Sequence, residues 1–254
     1  MDAYDQQGTE PLFPDLLWSR PENKYGAGKL LIIGGQAQEF SNVAACYASA
    51  EQAGAGTVRV IMPDSTEKVT RMLPNIEYAP SNPSGSFSRA ALASFLEASA
   101  WADRVLLAGD LGKNSETTTI LDGYLLKCPA AVMINQDALQ AISLPFRQLL
   151  DRPIILTLDF AHLQKLGISL DLEQAITSTM NQGQLAKVLH EITSEKKGSI
   201  ICMQNNFVWV SSNGRVCVSK TNRTSLNDIS ATSAVWAMQQ PAKLYEALVT
   251  SLVS

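Results

Sequence analysis

The feature that most constrains this chain is a repeated alternation. Short apolar runs end in glycine or a polar turn and are followed by alanine-rich or amphipathic stretches. "KLLIIGG" (Lys29 to Gly35) is a continuous apolar run closed by two glycines and reads as a buried strand. "SNVAACYASAEQAGAG" follows; it opens on Ser41, a good helix cap, and ends in glycines, so it reads as a helix with a glycine stop. "TVRVIMP" (Thr57 to Pro63) is the next strand. Strand, helix and strand with a small-residue helix face imply a parallel crossover unit.

The alternation continues. Ala90 to Ala100 reads as helix, "RVLLAG" as strand, "SETTTILDGYLLKC" as helix with Asn114 or Ser115 as cap, and "AAVMIN" as strand. "DALQAI" reads as a short helix, "PIILTL" as strand, and "SLDLEQAITSTM" and "GQLAKVLHEITSEKK" as helices. "GSIICMQNNFVWVSSNGRVCVSK" differs, because "QNN" and "SSNG" are hairpin-type turns between strand segments. Helical text from Ile229 to Leu252 is interrupted at Pro241. The expected architecture is α/β: a doubly wound, mainly parallel sheet flanked by helices, with a β-hairpin near its C-terminal edge. Residues 1–22 are expected to form an N-terminal arm and residues 23–254 a single domain.

Composition removes several functions. With 46% hydrophobic and 17% charged residues the chain is globular, not disordered. A net charge of −4 gives no basic nucleic-acid footprint, so no nucleic-acid partner is expected. No apolar run approaches a bilayer-spanning length, and the polar, acidic N-terminus is not a signal peptide, so no membrane partner is expected. Cys46, Cys128, Cys202 and Cys217 form no CxxC pair and read as reduced thiols of a cytoplasmic protein. The only histidines are His162 and His190, which excludes a multi-histidine metal site.

Two glycine loops are candidate ligand sites. Gly26-Ala27-Gly28-Lys29 precedes its strand, so it is not a phosphate loop of the Walker type. Gly34 and Gly35 either let the chain turn or let a ligand approach the strand's carboxyl end. "LLAGDLGKNSETTTIL" places a Gly-x-x-Gly turn between strand and helix, where free amides can hold an anion.

These motifs, in their order and spacing, resemble the ribokinase-like ADP- or ATP-dependent NAD(P)H-hydrate dehydratases from about Asn23 to the C-terminus. "NKYGAGKLLIIGGQ" and "EQAGAGTVRV" match the family's opening segments closely. The family's G-P-G-L-G turn falls on "AGDLG", keeping Leu111 and Gly112. Its D-A-D-A-L falls on "NQDAL", keeping Asp137 and replacing the first aspartate by Asn135. Its T-P-H-P-G-E-F falls on "TLDFAHL", keeping Thr157 and putting His162 at the glutamate. Its V-L-K-G falls on "ICMQ", putting Met203 at the lysine. Its G-T-G-D falls on "SLND", keeping only Asp228.

The resemblance implies a nucleotide cofactor, ADP or ATP, with Mg2+. It implies nucleotide contacts at Gly109, Gly112, Ser225 and Asn227, substrate contacts at Gly34, Gly35, Asp137 and His162, and Asp228 as the catalytic base. It also implies a homo-oligomer. The substituted motifs point to a dehydratase that is impaired or inactive, with a small-molecule kinase and a non-catalytic binding or subunit protein as alternatives. Asp228 itself stays open between base and helix cap.

Overall fold

A computed structural model describes residues 4–71, 75–221 and 223–254. In chain order the elements are β1 (Asp5–Gln7), α1 (Asp15–Trp18), β2 (Lys29–Gly34), α2 (Ser41–Gln52), β3 (Thr57–Pro63), α3 (Glu67–Thr70), β4 (Ile76–Ala79) and α4 (Ala91–Trp101). They continue with β5 (Arg104–Gly109), α5 (Ser115–Lys127), β6 (Ala131–Asn135), α6 (Gln136–Leu139), α7 (Phe146–Leu150), β7 (Ile154–Asp159), α8 (Phe160–Ser169) and α9 (Gln182–Ser194). The last are β8 (Ser199–Gln204), β9 (Phe207–Ser212), β10 (Arg215–Lys220), α10 (Leu226–Gln239) and α11 (Leu244–Thr250).

The ten strands form one sheet in the order β1-β10-β9-β8-β7-β6-β5-β2-β3-β4. Strands β2 to β8 pair in parallel, whereas β9 is antiparallel to both β8 and β10. The central strands β2, β5, β6 and β7 are largely apolar and buried because both faces are covered. Leu31 and Ile33 point into a core with Phe95, Leu121, Leu163 and Leu189. Leu30 and Ile32 point into the opposite core with Val43, Ile229, Val235 and Leu248.

The expected doubly wound architecture is present, with differences at the ends of elements. Ser41 is the first helical residue of α2, and the cap position falls on Phe40, which makes no side-chain bond. Segment 171–180 is irregular, not helical; the helix lies earlier, over Phe160–Ser169. Asp159 accepts the His162 amide at its start (2.8 Å), and Asp171 at φ 55° ends the run. Asp5–Gln7 lie along the sheet: β1 pairs with β10, and Gln7 Nε2 donates to the Val249 carbonyl (2.7 Å). Leu16 is buried against Trp236 and Ala247. Among the described residues no helix is long and apolar enough to cross a membrane.

The topology positions the site. The chain steps outward from β2 to β3 and β4, then returns to the other side of β2 as β5. The carboxyl ends of β2 and β5 therefore form a topological switch point, where open α/β sheets hold ligands.

Candidate functional site

At the switch point the loops after β2 and β5 touch. The Gly35 amide donates to the Gly109 carbonyl (3.0 Å), and the register slips between Ile33 and Gly34. A Cβ on Gly34 would strike the Gly109 backbone and Val43, so the close approach of the two loops requires glycine there. Gly109 stands at φ 115°, and a Cβ there would strike the Asp137 carboxylate. Next to it Asp110, a non-glycine residue, adopts φ 55° and is 4% exposed.

The carboxylate of Asp110 explains this geometry. It accepts from the Asn42 amide (2.7 Å) and from Asn42 Nδ2 (2.7 Å). Asn42 lies in the first turn of α2, so Asp110 supplies from another loop the cap that Phe40 does not. The Asp110 amide in turn donates to Asp137 Oδ2 (2.7 Å). Burial pushes the Asp110 carboxyl above the usual range; Glu39 and Asp137 add to this, and the Asn42 amide opposes it. A cavity of about 270 Å3 opens here, lined by Gln36, Glu39, Asp110, Gly112, Lys113 and Asp137 among others. Three carboxylates against one lysine make it a negative pocket.

Asn227, at the start of α10, faces this cluster. Its Nδ2 donates to Asn42 Oδ1 (2.8 Å), and its Oδ1 accepts from Asn135 Nδ2 (2.7 Å). Asn135 Oδ1 accepts from the Asp137 amide (3.4 Å) and caps α6. Asn42, Asn227, Asn135, Asp137 and Asp110 thus form a closed ring of hydrogen bonds across β5, β6, α2 and α10.

Asp228 points elsewhere. Its Oδ2 lies 2.5 Å from Arg223 Nη1, and its Oδ1 accepts from Thr232 Oγ1 (3.3 Å). Arg223 Nη2 also donates to the Ser254 carbonyl oxygen (2.5 Å). Asp228 therefore does not cap α10; the cap position is Ser225, which makes no side-chain bond. A second cavity of about 500 Å3 lies on this side, lined by Thr9, Lys220, Thr221, Arg223, Ser225 and Asp228 among others.

His162 lies at a different strand end. Its Nδ1 is 2.8 Å from Asp159 Oδ1, at the carboxyl end of β7. Burial alone would raise the Asp159 carboxyl, but the amide and ring of His162 outweigh it and hold the group below the usual range. The structure thus brings Gly34, Gly35, Gly109, Gly112, Asn227 and Asp137 to one place, Ser225 and Asp228 to a neighbouring cavity, and His162 to a local pair with Asp159. Sequence reasoning passed over Asn42 and Asp110; their link spans 68 positions, and no local pattern signals it.

Chemically, the α10 mouth offers first-turn amides, which suit a phosphate. Lys220 and Arg223 stand beside it. Among the described residues no three His, Cys, Asp or Glu side chains are arranged to hold a metal ion. A magnesium ion held by protein side chains alone does not fit this donor set.

No family profile matches the chain, and no curated protein matches it. Solved structures do match. A ribokinase-like superfamily protein from Enterococcus faecalis is 15% identical with a TM-score of 0.69, over 100% of this chain and 86% of that one. A hypothetical protein from Streptococcus mutans is 14% identical with a TM-score of 0.68, over 94% and 85%. The ADP/ATP-dependent NAD(P)H-hydrate dehydratase of Bacillus subtilis, crystallised with ATP and Mg2+, is 14% identical with a TM-score of 0.60, over 96% and 86%. At these identities the likeness speaks for architecture, and the chain has the ribokinase-like fold.

Proposed function

We propose that this chain is a ribokinase-fold nucleotide-binding protein in which hydrate dehydratase and phosphoryl-transfer chemistry is impaired or absent. One observation carries the reading. The α10 residue tied to the switch-point cluster is Asn227, hydrogen-bonded to Asn42 and Asn135, while Asp228 is tied to Arg223. A general base must take a proton from a hydroxyl within hydrogen-bond reach. A carboxamide cannot do so, and the Asp228 carboxylate is already engaged by Arg223 and Thr232.

The negative pocket supports the same reading from the substrate side. Glu39, Asp110 and Asp137 repel the phosphates of a hydrated dinucleotide. The larger cavity, with Lys220, Arg223 and the hydroxyls of Thr221, Thr224 and Ser225, suits the phosphates of ADP or ATP. Bound nucleotide would bring phosphate charge to the α10 mouth, and Lys220 and Arg223 would orient it. Mg2+ would enter on those phosphates rather than on a protein cage.

The test has two arms. Hydrated NADPH is incubated with ATP or ADP and Mg2+, and the return of NADPH absorbance is followed. No nucleotide-dependent turnover is expected. In parallel, nucleotide is titrated against thermal stability; at 100 times its dissociation constant a ligand adds about 2.7 kcal/mol, a rise of roughly 5–10 °C. Turnover that disappears in Asp228→Asn would overturn the loss of chemistry. A flat thermal titration would overturn nucleotide binding.

A further inference from the structure

Asp110 stands in the wall of the negative pocket in an arrangement that a helix cap alone does not require. Its backbone is left-handed at φ 55°, directly after Gly109 at φ 115°. A side chain in that region is strained, and glycine is its ordinary occupant. The residue is buried, and it lines the cavity together with Glu39 and Asp137. Burial first, then the charges of Glu39 and Asp137, disfavours its ionised form. Backbone strain persists where the surrounding structure enforces it, and it gathers at functional sites.

The carboxylate is seated as a bound anion would be. Oδ2 accepts from the Asn42 amide and Oδ1 from Asn42 Nδ2, both at 2.7 Å, and the Val43 amide also favours the ionised form. These amides belong to the first turn of α2, whose own cap position, Phe40, offers no side-chain bond. A serine or aspartate at position 40 would satisfy them with no left-handed backbone and no burial beside two carboxylates. The acceptor comes instead from the loop after β5, 68 positions away and inside the pocket. First-turn amides behind a strand that ends in glycine, as β2 does at Gly34, are where open α/β sheets place a ligand's phosphate. In this chain an anion already lies there, and it is part of the protein.

We propose that Asp110 is a specificity determinant: a built-in carboxylate that fills the anion seat of the switch-point pocket and closes the pocket to phosphate- and carboxylate-bearing ligands. Glu39 and Asp137 repel such ligands through their charge, whereas Asp110 takes the donors themselves. Displacing it would leave a carboxylate without those donors beside Glu39 and Asp137, so an incoming anion meets both a blocked seat and an unpaired charge. The proposal rests on the switch-point pocket being a ligand site, as in the function proposed above. It requires neither nucleotide at the α10 mouth nor loss of chemistry at Asp228.

The test is occupation of the vacated seat by formate, the smallest carboxylate. Asp110→Gly removes the side chain and relieves the left-handed backbone. Formate is exchanged for chloride at constant ionic strength, on the full chain and without nucleotide, and followed by the NMR shifts of the Asn42 and Val43 amides and by thermal unfolding. The wild type should show no saturable formate response. Asp110→Gly should bind formate at those two amides, and formate at about ten times its dissociation constant should raise the melting temperature by roughly 3–6 °C. Glu39→Gln takes the same charge from the pocket but leaves Asp110 seated, and should gain no formate site. Asp110→Asn tolerates the left-handed backbone and replaces a charged acceptor by a neutral one. It should bind formate more weakly than the glycine variant, and it carries the test if that variant fails to fold. Absence of formate binding in both Asp110 variants overturns the proposal. So does saturable binding at these amides in the wild type, or an equal gain in Glu39→Gln, which would make net charge the determinant. With no nucleotide present, failure here is distinct from a flat nucleotide titration.

Discussion

Replacing Asn42 by alanine tests the hydrogen-bonded ring where it joins Asp110 to Asn227. The side chain donates to Asp110 Oδ1 (2.7 Å) and accepts from Asn227 Nδ2 (2.8 Å). A hydrogen bond to a charged group contributes about 1.5–3 kcal/mol and a neutral one about 0.5–1.5 kcal/mol. Alanine returns roughly 0.5 kcal/mol through its helix propensity. The net cost is about 1.5–4 kcal/mol, or roughly 3–16 °C for a domain of this size. Asp110 keeps the backbone donor of residue 42, so the loop should hold its course.

The pH dependence of that cost is the sharper readout. The Asp110 carboxyl is raised in the folded chain, first by burial, from an ordinary value of 3.8. Between the unfolded and folded values the native state binds more protons, so this group's contribution to stability falls as pH rises through the window. Removing the Asn42 side chain takes away a donor to the charged form and raises the folded value further. The variant's deficit should therefore be larger near neutral pH than near about pH 4, where Asp110 is increasingly protonated. Urea denaturation of both proteins at the two pH values measures it. Equal deficits, or one below about 0.5 kcal/mol at neutral pH, would refute the view that Asn42 stabilises a buried carboxylate.

Two other substitutions probe neighbouring parts of the site. Gly109→Ala forces a Cβ against the Asp137 carboxylate at φ 115°. It should cost about 2–4 kcal/mol, seen as a melting-temperature drop of roughly 4–16 °C. Asp159→Ala removes the cap of α8 and should cost about 1 kcal/mol at neutral pH, near the lower end because the pair with His162 is partly open to solvent. A depressed carboxyl contributes stability above its unfolded value and loses it as pH falls through the folded value, which for Asp159 lies below 3.8. The cost should therefore fade in acid; a cost that persists below that window would rule out an ionised cap.

The central strands were legible because each is a continuous apolar run bounded by glycine or polar turns, and helices on both faces demand that pattern. Short edge elements were less so. In β4, Ile76–Ala79, pairing with β3 defines the strand more than any local pattern does. Segment 171–180 misled because Leu172, Ile176 and Met180 recur at helical spacing. That spacing also lets Ile176 pack against Gly167 of α8 from an irregular segment, once Asp171 has turned the chain. The start of α2 was misassigned for a different reason. Its cap is Asp110, whose carboxylate comes from the far side of the switch point, so no reading of the residues around Ser41 finds it.

The same limit applies to Asp228. Successive helical residues point about 100° apart, so moving the start of α10 by one position exchanges what Asn227 and Asp228 face. Thr224, Ser225, Asn227 and Asp228 are all good cap residues, and the local sequence leaves that start open. The core settles it: Leu226 and Ile229 are both buried with Val43 and Cys46 of α2, which fixes the phase of the first turn. In that phase the amide of Asn227 closes onto Asn42 and Asn135, and Asp228 meets Arg223 and Thr232. The surviving aspartate of the resemblance is thus separated from the negative pocket by its own neighbour. Freeing Asp228 from Arg223 would not place a carboxylate beside Asn42 and Asn135. A carboxylate at position 227 would do so, one hydrogen-bonded residue away from Asp110 and Asp137, where like charges would raise its affinity for a proton.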